Sequence, residues 1–403
     1  MNKLLTLVTL TFLAGAIHAQ QNINAFVKLD TIFSTGIVID NADVTTKSVI
    51  ARILGNEAWI YYPNWKENDS IHFLKINLLT HKKEQVNIHM PGISFKVSSP
   101  FISDFAITKN ALVILFASHS FAYFKNTKAG YAFKFIEPVQ GSFSGIHLLP
   151  EDRVLIYNNY NSHPMDNPDK TIFHVYDCKS HKLLYTSRPH FNAVQFCHFS
   201  PNQWLDVSSK NVVFSQTTSY ALSFFDFKLE KVGSFKSTGN GWVYADTNRI
   251  KALESVKPAL SAKDFIDRLS PVEDTVSRIE AVYFLNATKL LVRKIPAYAK
   301  KQNRLRTYDL LVLNEKTNTW ERTRQDIRDV IVDPAALCTK RDFPVNSVYY
   351  NVLFSEKYFI KLLPRFTPFV FNKTFQENKD NEEKALGKVN PEMYIQIFKV
   401  DFN

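Results

Sequence analysis

Several stretches of this chain carry residues that could do chemistry, and each also has a plainer reading. The run Asn158-Asn159-Tyr160-Asn161-Ser162-His163-Pro164-Met165-Asp166-Asn167-Pro168-Asp169-Lys170 gathers amides, an imidazole and carboxylates. Such groups bind hard cations or sugar hydroxyls. Its spacing matches no calcium loop, and its prolines and asparagines serve equally as turn formers, so no metal is assigned. In Trp59-Ile60-Tyr61-Tyr62-Pro63-Asn64-Trp65-Lys66, the alternation puts Trp59 and Tyr61 in strand packing. Tyr62 and Trp65 fall at the loop, where an aromatic face beside Asn64 and Lys66 could stack on a sugar or simply bury area. Lys294, Tyr298, Lys300, Lys301, Arg304 and Arg306 form a basic stretch suited to an anion, or to solvation alone. Tyr62, Trp65, Tyr160, His163, Lys300 and Arg304 are therefore the ligand-binding candidates. Polar residues on inner strands (Arg52, Asp104, His147, His198 and Tyr349) are candidates to line a central channel. A His–carboxylate pair there could serve acid–base catalysis. No GxSxG, HExxH or glycine-rich phosphate loop occurs, so no catalytic residue, cofactor or enzyme class is named.

The elements that must position these residues repeat. Ile172–Asp177 leads through a polar turn to Leu183-Leu184-Tyr185, and Leu222–Asp226 leads likewise to Val232–Phe235. Tyr308–Leu313 before Trp320, and Leu74–Leu78 before Val86–Ile88, show the same scheme, which is a hairpin signal. Upstream hairpins repeat too: Phe105-Ala106-Ile107 with Ala111–Leu115, Ile146–Leu149 with Arg153–Tyr157, and Val282–Leu285 with Lys289–Val292. The expectation is an all-β, six-bladed β-propeller with four strands per blade, near 48–88, 101–136, 143–187, 193–237, 280–323 and 345–403. Turns after the first and third strands are tight, whereas long excursions come after the second and fourth. In an antiparallel meander those excursions must share one face.

Phe398–Asn403 resembles the end of a third strand, so Ala25–Leu29 is expected to supply the missing fourth, pairing near Tyr394–Phe398. Closing the ring this way removes a sheet edge. Residues 246–279 break the strand pattern and carry Ser270-Pro271-Val272-Glu273, a capping box, with a weaker start at Ser261–Asp264. A short helical insertion between blades four and five is predicted there. The stretch 364–392, with Arg365, Phe366, Phe369 and Phe371 ahead of a polar run, reads as either a lid or a partly disordered loop.

Lys3 precedes the apolar run Leu4–Ala16, and Ile17-His18-Ala19 suits cleavage before Gln20. The run is too short to span a membrane, so residues 1–19 read as a signal peptide and 20–403 as one propeller domain in the periplasm or outside the cell. Cys178, Cys197 and Cys338 are too few for a disulfide scaffold, although the first two could pair. A formal charge of +11 suits adhesion to an anionic glycan or an acidic partner, or solubility alone, and export argues against nucleic acid.

On these repeats the chain resembles six-bladed propellers of TolB-like architecture, including exported propellers of Bacteroidota. It lacks YWTD, NHL, kelch, WD and Asp-box signatures, so the resemblance implies architecture and transfers no functional residue. The expected function is an exported binding propeller that recognises a glycan or envelope protein through loops on one face. Alternatives are a carbohydrate hydrolase or lyase working in the central funnel, or a structural subunit of an envelope assembly.

Overall fold

A computed structural model describes residues 27–38, 49–62, 70–91, 102–117, 120–139, 143, 145–157, 173–187, 205–216, 219–237, 275–297, 307–328, 351–363 and 392–401, with isolated positions between 242 and 272. Six four-stranded antiparallel sheets account for every strand among them. Blade one is β2 (Ile50–Leu54), β3 (Glu57–Tyr61), β4 (Ser70–Asn77) and β5 (Lys83–His89). Blade two is β6 (Ile102–Ile107), β7 (Ala111–Phe116), β8 (Ser120–Thr127) and β9 (Gly130–Pro138). Blade three is β10 (Gly145–Leu149), β11 (Arg153–Tyr157), β12 (Phe173–Asp177) and β13 (Lys182–Ser187). Blade four is β14 (Leu205–Val207), β15 (Val212–Gln216), β16 (Ala221–Phe225) and β17 (Lys231–Lys236). Blade five is β18 (Arg278–Phe284), β19 (Lys289–Ile295), β20 (Thr307–Asn314) and β21 (Thr319–Arg328). Blade six is β22 (Asn351–Phe354), β23 (Tyr358–Leu363), β24 (Glu392–Val400) and β1 (Val27–Val38), in the order β22-β23-β24-β1.

The expected ring closure is present. β1 pairs antiparallel with β24, Leu29 opposite Phe398 and Ser34 opposite Tyr394. The paired segment reaches Val38, beyond the run read from sequence. Thr35 Oγ1 donates to Met393 O (2.6 Å), and Asp30 is held by Lys399 Nζ (2.8 Å) and by His81 Nε2 (3.1 Å) of blade one.

Burial grades outward along each sheet. β7 is buried at every position, since both its faces meet neighbouring blades. The fourth strands β5, β13 and β17 are mostly exposed and carry lysines, a usual defence of an outer edge. The apolar side chains between blades form six clusters, one per seam.

One face consists of short turns with a recurrent chemistry. The first-to-second turns of blades two, four, five and six are each closed by a side-chain oxygen that accepts from backbone N–H groups. The acceptors are Thr108, Ser208, Asn286 and Ser355. Asn77, Thr127, Asp177, Asp226 and Asn314 do the same after the third strands of blades one to five. These residues suit the task because they bond their own backbone two or three residues on. The connections that leave the strand ends of the opposite face include 158–172, 188–204, 329–350 and 364–391.

The helical insertion is not supported. Arg278 and Ile279, placed inside it by sequence, belong to β18 and pair with Ile295 and Lys294. Thr275 N bonds Val272 O (3.1 Å), and Val272 is buried. Ser277 N then joins Val243 O (2.9 Å) and leads the chain into the strand. Among the described residues no helix is long and apolar enough to cross a membrane.

Candidate functional site

The innermost strand of each blade is bonded on one side only, so its other edge presents unpaired N–H groups to the channel. Two blades meet that need with an aspartate. Asp104 on β6 accepts from Phe105 N (2.8 Å) through Oδ1 and from Ile146 N of blade three (3.0 Å) through Oδ2. Asp206 on β14 accepts from Val207 N (2.9 Å) and from Phe284 N of blade five (2.6 Å) in the same way. Each carboxylate thus clamps its own strand to the next inner strand of the ring.

Three of the residues expected in the channel come together. Arg52 on β2 ion-pairs with Asp104 through Nη2 and donates from Nη1 to Ala51 O (2.8 Å). Burial pushes the Asp104 carboxyl above its ordinary range, and the Arg52 guanidinium opposes that rise. His147 on β10 lies within the field of Arg52. His198 and Tyr349 lie outside the described residues.

His147 stacks on Tyr157, with ring centroids 5.8 Å apart and planes 17° from parallel. Tyr157 ends β11, yet it crosses the inner strand because Gly145 opposite it has no side chain. A Cβ on Gly145 would fall 2.0 Å from Tyr157 Cζ. Tyr157 feels the charges of Asp104, Arg52 and Asp206, so four blades contribute to one cluster around the axis. His147 and Tyr157 keep some contact with channel solvent while protein surrounds them. That depth dominates their titration. Burial, and then Arg52, hold the His147 pKa down at about 3, and burial raises Tyr157 above the usual phenol range. The imidazole is therefore neutral at neutral pH and a weak base, and its buried Nε2 has no hydrogen-bond partner. The cluster can orient and hydrogen-bond, but this histidine is poorly matched to proton abstraction near pH 7.

Sequence reading missed Asp206. Its signal is an aspartate inside an inner strand, Leu205-Asp206-Val207, mirroring Ser103-Asp104-Phe105.

Lys294 corrects the anion-patch reading. It is buried rather than solvated, and its Nζ lies 2.8 Å from Asp309 Oδ1. Asp309 is wholly buried, accepts from Tyr220 Oη, and has Arg322 Nη1 at 3.4 Å. Burial, then the Asp309 charge, push the Tyr220 phenol well up. Of the ligand-binding candidates, only Tyr62 is among the described residues. It comes just after β3, is half-buried against the core between blades six and one, and has its phenol raised by burial. Trp65, Tyr160, His163, Lys300 and Arg304 lie outside the described residues, as do 158–170 and 364–391. Cys178 is free and buried, its thiol pushed up to about 12 by burial, and Cys197 lies outside the described residues. Among the described residues no three His, Cys, Asp or Glu side chains gather as a metal would require.

No family model matches the chain, and no curated protein matches it. Solved structures share its architecture. A Bacteroides fragilis protein described as exported is 12% identical, with 94% of this chain and 97% of that one covered and a TM-score of 0.51. A member of the DUF4221 family from Bacteroides vulgatus is 8% identical, with 93% and 98% covered and a TM-score of 0.51. At these identities the likeness is one of fold.

Proposed function

We propose that this chain is an exported binding propeller that recognises a glycan or an envelope protein through the connections on one face. The observation that carries the reading is the asymmetry of the two faces. Every first-to-second and third-to-fourth connection is a short turn, the longest being 78–82 and 226–230, whereas 237–277, 329–350 and 364–391 all leave the other side. Binding residues concentrate on loops set by a rigid scaffold. Export rests on the leader-like residues 1–19 and agrees with the description of the Bacteroides fragilis relative. The channel lends less support to a hydrolase or lyase. Its aspartates are engaged by backbone and Arg52, and its histidine is a weak base.

Trp65→Ala and Lys300→Ala test the reading. The wild-type chain is screened against envelope glycans and envelope extract, and the captured partner is then titrated against each variant. Binding should be lost while the melting temperature holds, because both fall between strands and loop side chains usually move stability by only about half a kcal/mol. Undiminished binding by the double variant would place the site elsewhere.

A further inference from the structure

The outer strands of five blades share a feature that the remaining one lacks. In β9, β13, β17, β21 and β1 the register against the third strand slips, because the outer strand holds more residues than its neighbour. Lys134, Leu184, Val232, Thr323 and Asp30 stand in the extra positions. Such β-bulges bend and twist an edge so that another strand fits poorly along it. β5 has none. Ser70 to Ile76 of β4 face His89 to Lys83 of β5 in an unbroken ladder.

β5 ends its sheet, and among the described residues no strand lies beyond it. Every second residue therefore turns its backbone N–H and C=O outward, in a row that another strand can complete. The charges of β5 are engaged elsewhere. Lys83 is its single lysine, and its Nζ donates to Ser34 O (3.1 Å) of β1. Glu84 sits 2.7 Å from Lys75 Nζ. Gln85, Asn87 and His89 are exposed, and Val86 is half-buried.

The sequence of the strand says what completes it. Lys83-Glu84-Gln85-Val86-Asn87-Ile88-His89 is nearly symmetric about Val86, with an amide on either side and a basic residue at either end. Run antiparallel to itself, β5 sets Val86 against Val86 of a second copy, and Gln85 against Asn87 twice. The Asn87 carboxamide oxygen faces His72 Nδ1 (2.7 Å), and the Gln85 Nε2 faces the same atom (3.4 Å). That leaves the Asn87 NH₂ to donate and the Gln85 oxygen to accept across the axis. β-branched and hydrogen-bonding pairs are favourable cross-strand neighbours, and in this register no acid meets an acid.

We propose that β5 is a dimer edge, where two copies pair antiparallel about a two-fold axis through Val86 and join their first blades into one sheet. The interface is isologous, the same edge serving both copies. The rim carries the contact, and the loop face does not.

Sedimentation velocity of the purified chain over a dilution series tests this. The wild type should run at twice the mass of one chain and dissociate on dilution. In the dimer, the amides of Lys83–His89 should exchange hydrogen more slowly than in the dilute monomer, while those of β13 and β17 stay as they were. Gln85→Lys with Asn87→Lys sets like charges opposite each other twice and should weaken association about a hundredfold. Gln85→Glu with Asn87→Glu should do the same. An equal mixture of the two double variants should pair again, which also shows that both fold. Trp65→Ala with Lys300→Ala should leave the dimer intact, which separates it from the loop-face reading. The proposal is overturned if the wild type is monomeric at every concentration, even one whose edge captures a strand of another protein. It is equally overturned if exchange in Lys83–His89 ignores concentration, if either double variant dimerises as the wild type does, if their mixture stays monomeric, or if the loop-face variant breaks the dimer.

Discussion

The seam between blades one and two and the seam between blades four and five do the same mechanical job with different physics. In the first, Trp59, Phe73 and Phe105 interlock edge to face, with centroids at 6.0 Å for Trp59–Phe73 and 5.0 Å for Phe73–Phe105. In the second, Phe224 and Trp320 stack at 4.8 Å, but the same sheets bury Asp309 against Lys294, Tyr220 and Arg322. The aromatic part of the first seam, outside its inner-strand Arg52–Asp104 pair, is held by many small contacts and degrades gradually. A buried charge cluster is held by mutual compensation and fails when one member goes.

That difference is testable with shape-conserving changes. Asp309→Asn keeps the volume but leaves buried Lys294 and half-buried Arg322 beside a neutral amide, and it should cost about 3–5 kcal/mol in denaturant unfolding. Replacing Asp309 and Lys294 together by Leu and Met should recover much of that loss. If Asp309→Asn costs no more than a conservative change in the aromatic seam, the distinction collapses.

Acid adds a second contrast, this time at the channel. His147 would take a proton near pH 6.5 when unfolded but near 3 when folded. Between those values the unfolded chain binds the extra proton, so stability falls as pH drops from about 6.5 towards 3. The loss from this group should reach roughly 2–3 kcal/mol by pH 4.5, and it vanishes above about 6.5. Asp104, raised by burial, works in the opposite direction over part of that window. The decisive measurement is therefore His147→Gln, which should flatten the acid limb of stability against pH. An unchanged limb would show that the imbalance lies elsewhere. The smallest effect belongs to the apolar seam, where Phe73→Leu should cost about 1–2 kcal/mol and leave the pH profile as it was.

The architecture was legible because it is written in local chemistry. Asn77, Thr108, Asp177, Ser208, Asp226 and Asn286 sit where a strand must turn, and their side chains close the turn themselves. Closure was legible for a related reason: one blade lacked a fourth strand, and a β-rich segment lay spare at the other end of the chain. Arg52, Asp104 and His147 could be assigned to the channel as polar residues in inner strands. The burial of Asp309 and Lys294 could not be read, because Lys294 follows Arg293 in a basic stretch and the meeting of the two depends on the β19–β20 register. The reading of 246–279 overran at its end, where Arg278 and Ile279 belong to β18, because a capping box marks a start and says nothing of where the segment stops.

The pairing of β1 with β24 also has a consequence in time. Thr35 and Met393 touch across 358 positions of sequence, so the ring closes only when both ends of the chain are free to meet. Contacts so remote slow folding, since the chain entropy of closure comes due before the pairing rewards it. A chain with blades one to five formed would still present β24 as an open strand edge, the form most exposed to mispairing with another copy. The closing strand therefore doubles as a timer: until it docks, the molecule depends on whatever keeps neighbouring chains apart.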